Sequence, residues 1–157
     1  SMDHSQGTAS MYRHLLVPLD GSRLASKALG HAFPLAKALG ARVTLFHASP
    51  EYPVGVAGDG AVYAPFTRAE YVDLRKKEAA HIFAAASRKA TSLGLAVGTA
   101  HVIAAAPWQA ILATARKQKC DAIVMSSHGR GGVASLLLGS ETQTVLAHSH
   151  LPVLVVR

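Results

Sequence analysis

Five stretches of the chain are apolar enough to be strands: 14–19, 42–48, 121–125, 96–103, and a last one running from Pro152 to Val156. Most are near-continuous apolar runs and not strict alternations. That pattern suits parallel strands covered on both faces. Segment 96–103 differs, because Gly98, Thr99 and His101 interrupt it, and its polarity places it at or near a sheet edge.

Helical spacing fills the intervals. Segment 22–39 carries Leu24, Ala28, Ala32, Leu35 and Leu39 on one face, with Ser22 to cap its start, Gly40 to end it and Pro34 to kink it. Segment 67–93 opens on Thr67-Arg68-Ala69-Glu70, a capping-box pattern, and its apolar face carries Tyr71, Leu74, Ile82, Ala86 and Leu93. Segment 107–118 begins with Pro107, a favoured first helical residue, and is expected to bury Trp108, Ile111, Leu112 and Ala115. A fourth helix starts near Ser140, where Ser140-Glu141-Thr142-Gln143 is a second capping-box pattern, and ends near His148. The order β-α-β-α-β-α-β-α-β predicts a parallel sheet with helices on both faces and right-handed crossovers. Residues 49–66 hold three prolines and three glycines and read as a long loop.

Composition narrows the class. A length of 157 residues, half of them apolar, favours one α/β domain with a sizeable core. The apolar runs are all far shorter than the roughly 20 residues of a membrane-spanning helix. A single cysteine, Cys120, rules out an internal disulfide framework and fits a reducing compartment, and the thiol reads as buried and structural. Residues 1–10 lack an apolar signal region and are expected to form a poorly ordered tag or tail, leaving 11–157 as the domain. The net charge of +7 is spread out: Arg75-Lys76-Lys77 and Arg116-Lys117-Gln118-Lys119 fall on different helices without interleaved aromatics. This disfavours a nucleic-acid partner but still attracts an anionic small molecule.

In an open α/β sheet, ligands bind beyond the carboxyl ends of the strands. Two loops there are chemically unusual: Pro18-Leu19-Asp20-Gly21-Ser22 and Ser126-Ser127-His128-Gly129-Arg130-Gly131-Gly132. Asp20 reads equally as a carboxylate for a ribose hydroxyl or adenine amino group and as a turn residue before glycine. In the second loop, glycines let a ligand approach the backbone, successive N–H groups suit anions, and Arg130 can fork onto phosphate. Gly139-Ser140 then opens the fourth helix, whose N-terminal N–H groups favour the same anion. There is no phosphate-binding G-x-x-x-x-G-K-[ST], no G-x-G-x-x-G and no G-x-S-x-G nucleophile elbow. His148-Ser149-His150 is a weak metal signal that reads better as surface, and Trp108 reads as core. The candidate loops carry no aromatic residue to stack a flavin.

The stretch Met125-Ser126-Ser127-His128-Gly129-Arg130-Gly131-Gly132, with Leu137-Leu138-Gly139-Ser140 and the closing Pro152-Val153-Leu154-Val155-Val156, resembles the universal stress proteins. So does Leu15-Leu16-Val17-Pro18-Leu19-Asp20-Gly21-Ser22. The ATP-binding branch of that family carries G-x2-G-x9-G-[ST]. Gly129 and Gly139-Ser140 match its second part, while Ser126 stands at the first glycine.

The resemblance implies a five-stranded parallel sheet of order 3-2-1-4-5 between four helices, Rossmann-like and similar to the adenine nucleotide alpha hydrolases. It implies that Pro18, Leu19 and Asp20 border adenine and ribose, that Ala48 touches adenine, and that Met125 and Ser126 line base and ribose. His128, Gly129 and Arg130 would follow the phosphates, and Gly139, Ser140, Glu141 and Thr142 would supply donors to them. Inward-facing, Glu141 would repel a triphosphate. The implied ligand is ATP, or ADP or AMP, with any Mg or Mn held through the phosphates, and with slow hydrolysis or none. A cytoplasmic homodimer paired through Pro152–Val156 is implied as well. The alternative is a dimeric interaction module of the same fold that binds no nucleotide.

Overall fold

The computed structural model describes residues 10–56, 58–129 and 138–157. The expected tail up to residue 9, and Arg130, Gly131, Gly132 and Leu137 of the motifs above, lie outside the described residues. In chain order the elements are β1 His14–Pro18, α1 Arg23–Leu39, β2 Arg42–Ser49, β3 Gly55–Val56 and β4 Val62–Tyr63. They continue with α2 Arg68–Ser92, β5 Val97–Ile103, α3 Pro107–Lys117, β6 Ala122–Ser126, α4 Ser140–His148 and β7 Val153–Val156.

The main sheet has the order β5-β2-β1-β6-β7 with all pairs parallel. Numbered along its own five strands this is 3-2-1-4-5, as the sequence resemblance implied. Strand alternation divides the core into two layers. Leu15, Val17, Val43, Leu45 and Val124 face α1 and α2, where Ala28, Ala32, Phe33, Ala86 and Ala90 pack on them. Leu16, Phe46, Ile123 and Met125 face Ile111 and Ala115 of α3 and Val145 of α4. Leu16 and Ile123, both completely buried, each contribute about 1.5–3 kcal/mol of apolar transfer energy. β5 is the expected half-exposed edge, and β7 forms the other, where Leu154 is 45% exposed.

The helix ends mostly follow the local sequence. Ser22 Oγ accepts from Ala25 N–H at 3.1 Å, and Gly40, at φ 65°, ends α1 in the left-handed conformation that only glycine adopts without strain. α1 runs uninterrupted through Pro34. Its buried stripe is Ala25, Ala28, Leu29, Ala32, Phe33 and Ala36, so Leu24, Leu35 and Leu39 flank the core instead of leading it. The Thr67–Glu70 capping box forms in both directions, with bonds of 3.2 and 2.8 Å. Those bonds hold the Glu70 carboxyl below its usual range. On α2, Leu74 and Leu93 are exposed, and the packing is done by Tyr71, Ala79, Phe83, Ala86 and Ala90.

Three local expectations are corrected. The second capping box does not form: Gly139 is the N-cap, Ser140 is the first helical residue, and the Gln143 side-chain amide donates to Leu138 O at 2.6 Å. Close packing decides this, since a Cβ on Gly139 would stand 2.9 Å from His128 Cβ. The loop at 49–66 contains the antiparallel β3–β4 ladder, with Gly55 opposite Tyr63. Trp108 is only half-buried, its ring 4.5 Å from that of His148. Cys120 is buried, and burial pushes its thiol up to about 11.

The amino end of the sheet is closed by polar contacts. Asp121 Oδ2 accepts the N–H groups of Arg13 and His14 at 2.6 and 2.9 Å. The buried His14 ring meets Gln118 O at 3.1 Å and Thr44 Oγ1 at 2.7 Å.

Candidate functional site

The winding of the sheet reverses between β1 and β6, and a crevice at the carboxyl ends of those strands follows from the topology. A cavity of about 420 Å³ lies there, within the size range of small-molecule sites. Pro18, Leu19 and Asp20 enter it from the end of β1, Ala48 from β2, and Met125, Ser126, His128 and Gly129 from β6 and the turn after it. Gly139, Ser140, Glu141 and Thr142 enter from the start of α4. Twelve of the thirteen residues expected from sequence therefore share one cavity; the thirteenth, Arg130, is outside the described residues.

The cavity has two chemically different ends. One is apolar, made by Phe46, Ala48, Ile111 and Met125. The sequence reading missed Ala25, Phe46, Pro107 and Ile111. Phe46 was legible in principle, since it stands two residues before Ala48 and so points to the same face. Pro107 and Ile111 need the tertiary placement of α3, which no local pattern supplies.

The other end is built from backbone. With glycine as N-cap, the first turn of α4 has no side-chain cap. Among the described residues, the N–H groups of Ser140, Glu141 and Thr142 have no protein acceptor, while Gln143 N–H returns to Gly139 O at 3.0 Å. These open donors and the helix dipole suit a negative charge. The turn that faces them is held tightly. Gly139 N–H donates to Ser127 O at 2.7 Å, Ser127 N–H donates to Val156 O at 2.8 Å, and Ser127 Oγ meets His128 Nδ1 at 2.9 Å. Ser127 was not among the expected residues, yet it sets the orientation of His128. The Ser126 hydroxyl donates to His128 O at 3.0 Å. The buried Thr142 hydroxyl donates to Ser126 O at 2.9 Å, so only the Thr142 backbone N–H faces a ligand as a donor.

Both carboxylates of the site have structural duties. Asp20 Oδ1 accepts Ser22 N–H at 2.9 Å, which is the turn role. Its Oδ2 lies close against Gly129, where a Cβ would approach it to 2.5 Å. Leu19 is fixed from both sides: its N–H donates to Phe46 O, and its carbonyl accepts from His47 Nδ1, each at 2.7 Å. Glu141 is turned partly inward. Its Oε1 is enclosed and has no hydrogen-bond partner among the described residues. Burial raises its pKa, opposed by the Trp108 backbone N–H. That N–H belongs to the first turn of α3, whose own N-cap, Ala106, offers no side chain.

The sequence profile of the universal stress protein family matches residues 11–157. The chain belongs to the universal stress protein family. Its relatives in that family include a universal stress protein of Thermus aquaticus, 36% identical over 150 residues that cover 94% of this chain and 100% of the relative. Universal stress protein YxiE of Bacillus subtilis is 34% identical over 152 residues, with coverage of 94% and 100%. Among solved structures, a universal stress protein in complex with cAMP superposes with a TM-score of 0.70 at 26% identity, covering 94% of this chain and 99% of that one. A family member from Burkholderia pseudomallei gives 0.72 at 26%, covering 94% and 97%.

Among the described residues of this family member, no cluster of three or more His, Cys, Asp or Glu can hold a metal ion. Among the same residues, no helix is long and apolar enough to cross a membrane.

Proposed function

We propose that this universal stress protein binds an adenine nucleotide, ATP or a close relative, in the cavity between β1, β6 and α4, and acts in a stress response as a nucleotide-dependent regulator. One observation carries the reading. The cavity joins an apolar slot suited to a base with three N–H groups at a helix start that have no protein acceptor among the described residues and suit phosphate. Glycine stands at both edges of the cradle: a Cβ at position 139 would collide with Cα and Cβ of His128, and one at position 129 would push aside the end of the Asp20 side chain. A family relative solved with cAMP supports the choice of adenine ligand.

In this reading the base lies against Phe46, Ala48 and Met125, Asp20 borders the ribose, and the phosphates run from Gly129 and Arg130 to the N–H groups of Ser140, Glu141 and Thr142. A divalent cation rides on the phosphates. His128 is held by Ser127 and contacts phosphate; hydrolysis is slow or absent. The protein works in the cytoplasm as a homodimer paired through β7, whose exposed Leu154 and open edge invite a second strand.

Mass spectrometry of small molecules released from the purified protein tests the ligand. An adenine nucleotide in the released fraction, or its uptake on addition, is expected. Protein that takes up no nucleotide at millimolar ATP overturns the reading. The second reading, an interaction module without nucleotide, draws on the inward turn of Glu141. It predicts partner binding that ignores both ATP and Gly129→Ala.

A further inference from the structure

A second cavity lies on the opposite side of the β1–α1 turn. It is a cleft of about 220 Å³ between α1 and α2, roughly half the size of the nucleotide cavity and below the range of drug-sized sites. Leu19 and Ala25 line both cavities, so the turn from β1 into α1 is the wall between them. The cleft is apolar along its length, with Leu29 of α1 facing Ile82 and Ala86 of α2.

Besides the hydroxyls of Ser22 and Ser26, its polar side chains are the basic Lys89 and His81. Lys89 stands on the cleft with its ammonium donating to Ser26 Oγ at 2.6 Å, and His81 stands nearby on the same helix. No aspartate or glutamate lines the cleft. Among the described residues, Lys89 makes no ion pair with any carboxylate. A solvent-exposed ammonium with two further donors therefore stands at the edge of an apolar slot too small for a nucleotide. That combination selects a ligand with a single anionic head and a short apolar tail.

We infer that the α1–α2 cleft is a second ligand site, for a short aliphatic carboxylate whose tail lies between Leu29 and Ile82 and whose head meets Lys89. The inference is independent of what occupies the larger cavity.

A methyl NMR titration of the full chain with hexanoate tests it, with hexanol as the uncharged probe of the same tail. The expected result is saturable shifts of the Leu29 and Ile82 methyls at millimolar hexanoate or below, with the Val145 methyls, in the other core layer, unmoved. Hexanol is expected to bind about threefold more weakly or worse, and Lys89→Met, which keeps the apolar stem, to weaken hexanoate by a similar factor. Ala85→Trp, at an exposed position lining the cleft, is expected to block both probes. Shifts that do not saturate, or that spread over the whole surface, overturn the inference. So does equal binding of hexanoate and hexanol, or of hexanoate to the parent chain and Lys89→Met.

Discussion

Gly129 and Asp20 are fitted to each other across the cavity: a Cβ on Gly129 would stand 2.5 Å from Asp20 Oδ2. That is well inside van der Waals contact, so a side chain at residue 129 would push the carboxylate out of the position in which it accepts Ser22 N–H. Gly129→Ala must displace the Asp20 carboxylate, which borders the ribose in the proposed nucleotide complex. The expected outcome is a loss of ATP affinity of about tenfold, or roughly 1.4 kcal/mol, measured by calorimetry.

Gly139 presses on backbone and not on a mobile side-chain end. A Cβ there meets His128 Cβ at 2.9 Å and His128 Cα at 3.0 Å. Gly139→Ala is expected to destabilise the fold by about 1–3 kcal/mol, the usual cost of overpacking. A urea titration measures it, and a nucleotide titration on the same variant should show weakened binding.

Glu141 carries a raised pKa because its carboxyl is withdrawn from water. The folded state thus binds the proton more tightly than the unfolded state. Its contribution to stability is present below the unfolded value of 4.5 and is lost as pH rises through the folded value. Glu141→Gln is therefore expected to stabilise the protein at pH 8 relative to the parent chain, and much less so at pH 4. Removing the charge should also raise ATP affinity at neutral pH. Denaturant midpoints at the two pH values, with calorimetry at pH 7.5, check both statements.

His14 runs the other way. Burial and the nearby Arg42 lower its pKa, while Gln118 O and Asp121 pull it back only in part. The folded state binds fewer protons here than the unfolded state. The stabilising contribution is complete above the unfolded value of 6.5 and is lost as pH falls through the folded value. His101 is lowered too, chiefly by burial and then by His47, so it adds to the same acid sensitivity. Thermal melts between pH 7.5 and 5 should show falling stability. His14→Gln should flatten that slope in part, leaving the share that belongs to His101.

Much of this architecture was written in the chain in local terms. Apolar runs of strand length alternating with capped helices are sufficient to predict a parallel α/β sheet, and Ser22, Gly40 and the Thr67–Glu70 box sit where the local chemistry puts them. α4 starts at Ser140 as expected, but its capping box does not form, because the pattern competes with a packing constraint on Gly139 that comes from His128, eleven residues earlier. The buried stripe of α1 was legible in part: Ala28 and Ala32 are buried as expected, but Leu24, Leu35 and Leu39 are only half-buried, because close helix-on-sheet packing uses Ala25 and Ala36 with Leu29 and Phe33. In the site, loop residues were legible through glycine chemistry. Ile111 was not, because its place in the cavity depends on how α3 lies on the sheet.

Calorimetric titration of ATP into the full chain at pH 7.5 bears most directly on the nucleotide reading. The account predicts saturable binding of one ATP per chain in the micromolar range, weakened by Gly129→Ala. Absence of binding at millimolar ATP, or binding indifferent to that substitution, would contradict it.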